Sequence, residues 1–86
     1  MKIYDYNGKK NLCGARVHEA RRRGKMTQSD LAARLQLAGI EIERDSVSRI
    51  EIGTRFVADY ELRALSNILR VSVDWLLGDN TETGAK

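Results

Sequence analysis

Eighty-six residues, with fifteen Lys/Arg against twelve Asp/Glu, set the scale of one domain whose net charge of +3 is too small to identify a polyanion binder by itself. A single cysteine and a single histidine exclude an internal disulfide and leave a metal centre short of ligands. No glycine-rich phosphate loop or nucleophile–base pair is present to build catalysis from, no apolar run nears the roughly 20 residues of a membrane span, and nothing resembles a secretion signal. The expectation is a cytoplasmic, non-enzymatic protein without cofactor or membrane partner. Nor is a second domain that senses a small-molecule effector expected in a chain of this length.

Residues 1–10 place Tyr4 and Tyr6 among polar residues ahead of Gly8 and two lysines, and read as an extended or poorly ordered arm. The domain proper is expected over 11–78. Helix 1 is predicted from Asn11, a good N-cap, to Arg22 or Arg23, with Gly24 ending it in left-handed geometry. Cys13, Val17 and Ala20 fall at i, i+4 and i+7 on one core-facing stripe, which makes Cys13 a small buried hydrophobe rather than a reactive thiol. His18 lies off that stripe and is expected to be exposed. Residues 1–25 carry eight Lys/Arg and two Asp/Glu, whereas residues 26–86 carry seven and ten. The densest basic cluster is Arg21-Arg22-Arg23 with Lys25. It reads either as a solvated helix end whose cations suit the negative pole of the helix dipole, or as a phosphate-facing patch that steers association.

Helix 2 opens at Thr27, with Asp30 three residues on in the pattern of a capping box. Leu31 and Leu35, with Ala32, give its buried edge, and it continues through Gln36 and Leu37 until Gly39. Ile40-Glu41-Ile42-Glu43 alternates apolar and polar residues and reads as a brief extended connector. Helix 3 is predicted over about Arg44 to Ile52, with Gly53 as its stop. It packs by Val47 and Ile50, so Arg44, Asp45, Ser46, Ser48 and Arg49 are carried outward, side chains able to hydrogen-bond base edges and phosphates.

Thr54 to Ala58 is a loop expected to bury Phe56, and Asp59 is expected to cap helix 4, where Leu62, Leu65, Ile68 and Leu69 recur at helical spacing. Helix 5 is short: Ser72 caps it, Asp74 sits in its first turn, Trp75, Leu76 and Leu77 are apolar, and Gly78 ends it. Residues 79–86 form a flexible polar tail. The fold class is therefore all-α, five helices joined by short connections. The expected core is Val17, Ala20, Leu31, Leu35, Val47, Ile50, Phe56, Leu62, Leu65, Leu69, Val73, Trp75 and Leu76.

Three pieces in order, Thr27-Gln28 with Leu31-Ala32 and Leu35, then Ser46-Val47-Ser48-Arg49-Ile50-Glu51 with Gly53, and finally Val71-Ser72-Val73-Asp74-Trp75-Leu76-Leu77-Gly78, carry a resemblance. The chain resembles, from about Leu12 to Gly78, the DNA-binding domain of Cro and phage-repressor type helix-turn-helix regulators, the XRE family. The resemblance implies a compact five-helix, lambda-repressor-like domain that binds double-stranded DNA sequence-specifically. It implies a transcriptional regulator, most simply a repressor that occludes a promoter, acting as a homodimer on a palindromic operator.

Residue by residue, the resemblance places Thr27 and Gln28 at the DNA backbone, with the Gln28 amide on a phosphate. It places Arg44 and Asp45 at base edges, with Arg49 one turn further on the same face. Arg44 and Arg49 suit the bidentate guanine contact, worth about 1–3 kcal/mol of discrimination each. Ser46 and Ser48 would donate to phosphates or bases, Thr54 and Arg55 would hold the next phosphates, and Arg21 with Glu51 would form a structural ion pair between helices 1 and 3. The chain departs from the pattern twice. Its connection between helices 2 and 3 exceeds the usual tight turn by about five residues. Glu43 stands in place of the usual Ser/Thr cap, so Glu41, Glu43 and Asp45 gather acid where phosphates would pass. Asp45 either caps helix 3 or meets a base such as cytosine.

A second class of reading is a protein-interaction module with the same fold, antitoxin-like or the target of an anti-repressor, using helix 5 and the Tyr4/Tyr6 arm. Helix 5, through Trp75 and Leu77, is the expected subunit contact unless Trp75 is buried within one subunit.

Overall fold

Local signals satisfy the free N–H groups that open most of the helices. The computed structural model describes residues 5–79 and contains α1 (Gly14–Arg23), α2 (Gln28–Leu37), α3 (Arg44–Ile52), α4 (Asp59–Leu69) and α5 (Val73–Leu76). This is the all-α five-helix bundle expected. Tyr4 and all of the tail after Asp79 lie outside the described residues.

The part of the arm that is described is a tight hairpin. Tyr6 and Lys9 exchange backbone hydrogen bonds of 2.6 and 2.9 Å around Asn7 and Gly8, whose positive φ angles of 52° and 81° are those a two-residue hairpin turn requires. Lys10 N–H then donates to the Gly53 carbonyl at 2.8 Å, which docks the hairpin on the end of α3. Residues 5–10 are thus ordered by contacts far along the chain, not extended.

Helix α1 starts at Gly14 rather than at Asn11. Asn11 still serves that end, because its Oδ1 accepts from Gly14 N–H at 2.8 Å, while its Nδ2 donates to the carbonyls of Ile50 (3.1 Å) and Arg55 (2.8 Å). Gly24 closes the helix at φ −84°, and the left-handed step falls instead on Lys25 at φ 59°. Gly14 meets α3 at close range: a Cβ there would lie 2.2 Å from the Ile50 carbonyl oxygen.

Thr27 and Asp30 form the full capping box of α2, at 3.0 and 2.9 Å. The connector after α2 is pinned at both ends: Ile40 N–H donates to Leu35, the Gln36 amide donates to the Ile42 carbonyl at 2.7 Å, and Ile42 is buried. Helix α3 ends at Gly53, φ 88°, in a Schellman pattern with Thr54 N–H returning to Arg49 and Gly53 N–H to Ile50.

Two expectations fail in the next loop. Phe56 is 46% exposed, because Val57 takes the inward position and packs against the core. Asp59 is the first residue of α4, not its cap. The carboxylate of Glu61 accepts from Ala58 N–H at 3.0 Å and grips Arg55 at the same time. Arg70, left-handed at φ 60°, ends α4. Ser72 then caps α5 by accepting from Trp75 N–H at 3.0 Å.

Trp75 is 2% exposed inside the bundle, with the guanidinium of Arg16 4.5 Å and that of Arg23 5.3 Å from its ring centre. It therefore serves the interior of this chain and not a subunit contact. Of the expected core, Leu62 and Val73 are only partly buried; Cys13 and Ala32 are buried as their helical stripes predicted, and Ile42 and Val71 join the core.

Candidate nucleic-acid interface

Val47 and Ile50 anchor α3, and at about 100° per residue the opposite arc is centred on Asp45, Ser48, Arg49 and Ile52. Arg44 and Arg49, five residues apart, stand about 140° from each other around the helix and bracket that arc instead of sharing one stripe. Both are exposed. Arg44 bends onto Asp45 in an exposed ion pair at 3.3 Å. Asp45 is the second residue of the helix and makes no capping bond; Glu43 holds the cap position in extended geometry without a side-chain bond. Ser48, within the arc, and Ser46, outside it, are both half-buried.

Behind this face sits one carboxylate that joins three helices. Glu51 on α3 accepts from Arg21 of α1 through Nε (2.6 Å) and Nη2 (3.0 Å), the ion pair the resemblance implied. Its Oε1 also lies 2.8 Å from His18 Nδ1 and accepts from Gln28 Nε2 of α2 at 3.1 Å. Burial alone would raise the Glu51 carboxyl's pKa, but the bonds from Arg21, His18 and Gln28, with the charge of Arg21, outweigh it and hold the group below the usual carboxylate range. His18, Gln28, Glu51, Ala15 and Ile52 line an open recess of about 360 Å³. Through Ile52 that recess runs into the exposed arc of α3.

At the other end of α3, the Thr54 hydroxyl and N–H both point back to the Arg49 carbonyl, at 3.4 and 2.9 Å. Arg55 is bidentate to Glu61 at 3.0 Å for each bond, so its charge is neutralised on the protein side. The bonds from Arg55 and from Ala58 N–H hold the Glu61 carboxyl low against a burial penalty that works the other way.

The basic triplet disperses. Arg21 turns inward to Glu51 and the Met26 carbonyl, Arg23 pairs with Glu19 beside Trp75, and Arg22 and Lys25 are exposed. Among the described residues no group of three or more His, Cys, Asp or Glu side chains is placed to hold a metal ion, and no helix is long and apolar enough to cross a membrane.

Sequence reasoning missed two residues of this face. Ile52 is 59% exposed on the arc, three residues after Arg49 and seven after Asp45, a spacing that the sequence already displays. His18 was read as merely exposed. Its partner Glu51 is thirty-three positions away, and no local pattern reveals that distance.

The sequence matches the helix-turn-helix family over residues 17–76. The fold is similar to that in the crystal structure of the P22 c2 repressor protein in complex with synthetic operator 9T in the presence of Tl+, with a TM-score of 0.68 and 27% identity over 81% of this chain and 98% of that one. No curated protein sequence matches the chain. With its capped second helix, its outward polar third helix and its ion pair between α1 and α3, the chain belongs to the helix-turn-helix family, of the Cro and phage-repressor type.

Proposed function

We propose that this protein, a DNA-binding regulator of the helix-turn-helix family, represses transcription by seating α3 in the major groove of a palindromic operator as a homodimer. The observation that carries this reading is the exposed polar arc of α3, held rigid from behind by Val47, Ile50 and Glu51. Arg49 and Arg44 read guanines from the two edges of the arc, Ser48 and Asp45 meet the bases between them, and Ile52 offers apolar contact to a thymine methyl. Ser46, Thr27, Gln28 and Thr54 bind the sugar-phosphate backbone, and Arg55 braces its loop through Glu61.

Occlusion of a promoter suits a domain whose extents are 36 × 29 × 19 Å. Two such molecules side by side match the spacing of about 34 Å between successive major-groove half-sites. The apolar cleft of about 380 Å³ lined by Tyr6, Leu12, Phe56 and Leu77 favours a second reading, a module that binds another protein.

Selection from random duplexes, followed by binding at several salt concentrations, separates the two. A DNA reader enriches a two-fold motif and loses affinity steeply as salt rises. An interaction module enriches nothing, and that result ends the repressor reading.

A further inference from the structure

Resting on the DNA-binding reading above, we propose that His18 and Gln28 together form a seat for one operator phosphate, positioned by Glu51, and that this protein takes up a proton on His18 when it binds DNA. The geometry begins with what Glu51 accepts. A carboxylate oxygen has no proton to give, so His18 Nδ1, 2.8 Å from Oε1, carries the hydrogen, and Nε2 is the ring nitrogen left for a ligand. The Gln28 amide is oriented in the same way, its Nε2 donating one N–H to Glu51 and keeping the second. Both side chains open on the recess that Ile52 joins to the reading face of α3. His18 is 47% exposed along its side chain, so an anion from solvent reaches it.

A neutral imidazole with Nδ1–H presents a bare Nε2, an acceptor facing an acceptor when a phosphate arrives. A protonated ring presents Nε2–H and a positive charge, and the bond becomes charge-assisted. The charged and polar groups around the ring act in known directions. Glu51 from α3 favours the cation; Arg21 of α1, with Nη2 3.3 Å from Nδ1, opposes it; Gln28 from α2 is uncharged. A phosphate adds a second negative partner, so the complex binds the proton more tightly than the free protein does. By linkage, DNA affinity rises as pH falls.

The test uses the selected duplex and fluorescence anisotropy from about pH 5.5 to about pH 8 at fixed ionic strength, the window in which imidazole changes charge. Wild type is expected to gain about tenfold in affinity toward the acid end, the effect of one added charge-assisted bond. His18→Ala should bind with the basic-end affinity throughout, and His18→Lys with the acid-end affinity throughout. The chain has one histidine, so its ring resonances are unambiguous, and their titration should shift to higher pH on adding the duplex. A flat wild-type profile, or a slope that survives in His18→Ala, overturns the inference while leaving DNA binding intact. A wild type that selects no duplex at any pH overturns the DNA-binding reading, and this inference with it.

Discussion

Cys13 is sealed from chemistry by its surroundings. Burial pushes its thiol up to about 11, outweighing the hydrogen bond from its own backbone N–H that works the other way, and the charge of Glu61 adds a smaller upward push. The thiol therefore stays protonated at neutral pH, and the thiolate is the reactive form. Iodoacetamide should leave the native protein unlabelled and modify it once in denaturant, as read by mass spectrometry; labelling in the folded state would mean that the amino end of α1 opens. On the reading face, Arg49→Ala is expected to cost about 1–3 kcal/mol and to relax one operator position in repeated selection. Gln28→Ala should behave differently, because its contact is neutral and goes to the backbone. Affinity should fall by a similar factor for all sequences while the dependence on salt stays the same. A changed slope would assign Gln28 some other role.

Between elements, the approach of α1 to α3 depends on the missing side chain at Gly14. A methyl group there meets the backbone carbonyls of Ile50 and Glu51 at 2.2 and 2.9 Å, and backbone does not yield as a flexible side chain does. Gly14→Ala should lower the melting temperature despite its better helix propensity. Glu51 ties the same pair electrostatically, and the sign of its pH effect follows from its lowered pKa. A carboxyl held lower in the folded state than its ordinary value of about 4.3 stabilises the fold above that value, and the contribution is lost as pH falls through the folded one. Glu51→Gln should melt lower than wild type at neutral pH and lose less on acidification. Parallel acid profiles for the two proteins would remove Glu51 from the account.

Boundaries set by neighbouring residues were legible in the sequence. Thr27 with Asp30, Gly53 and Ser72 act within one turn of themselves, and α2, α3 and α5 begin or end where those residues predict. The rest answers to distant partners. Asn11 is spent on Ile50 and Arg55, Glu61 displaces Asp59 from capping because it also holds Arg55, and Val57 takes the place expected of Phe56. The outward polarity of α3 was readable from its composition. The angle between Arg44 and Arg49 needed only the helical period, yet resemblance alone had put them on one face.

For the molecule as a whole, a small core makes each large side chain matter. Trp75→Ala should cost about 3–5 kcal/mol, a large share of the roughly 5–15 kcal/mol that holds a domain together, and should leave the protein largely unfolded near body temperature by circular dichroism. The two guanidinium groups over the ring add to that loss. The bundle thus carries its own optical gauge. With one indole in the sequence, enclosed away from water and from the face assigned to DNA, its emission should be blue-shifted and resist acrylamide quenching. It should stay constant through an operator titration, and red-shift only when the helices separate.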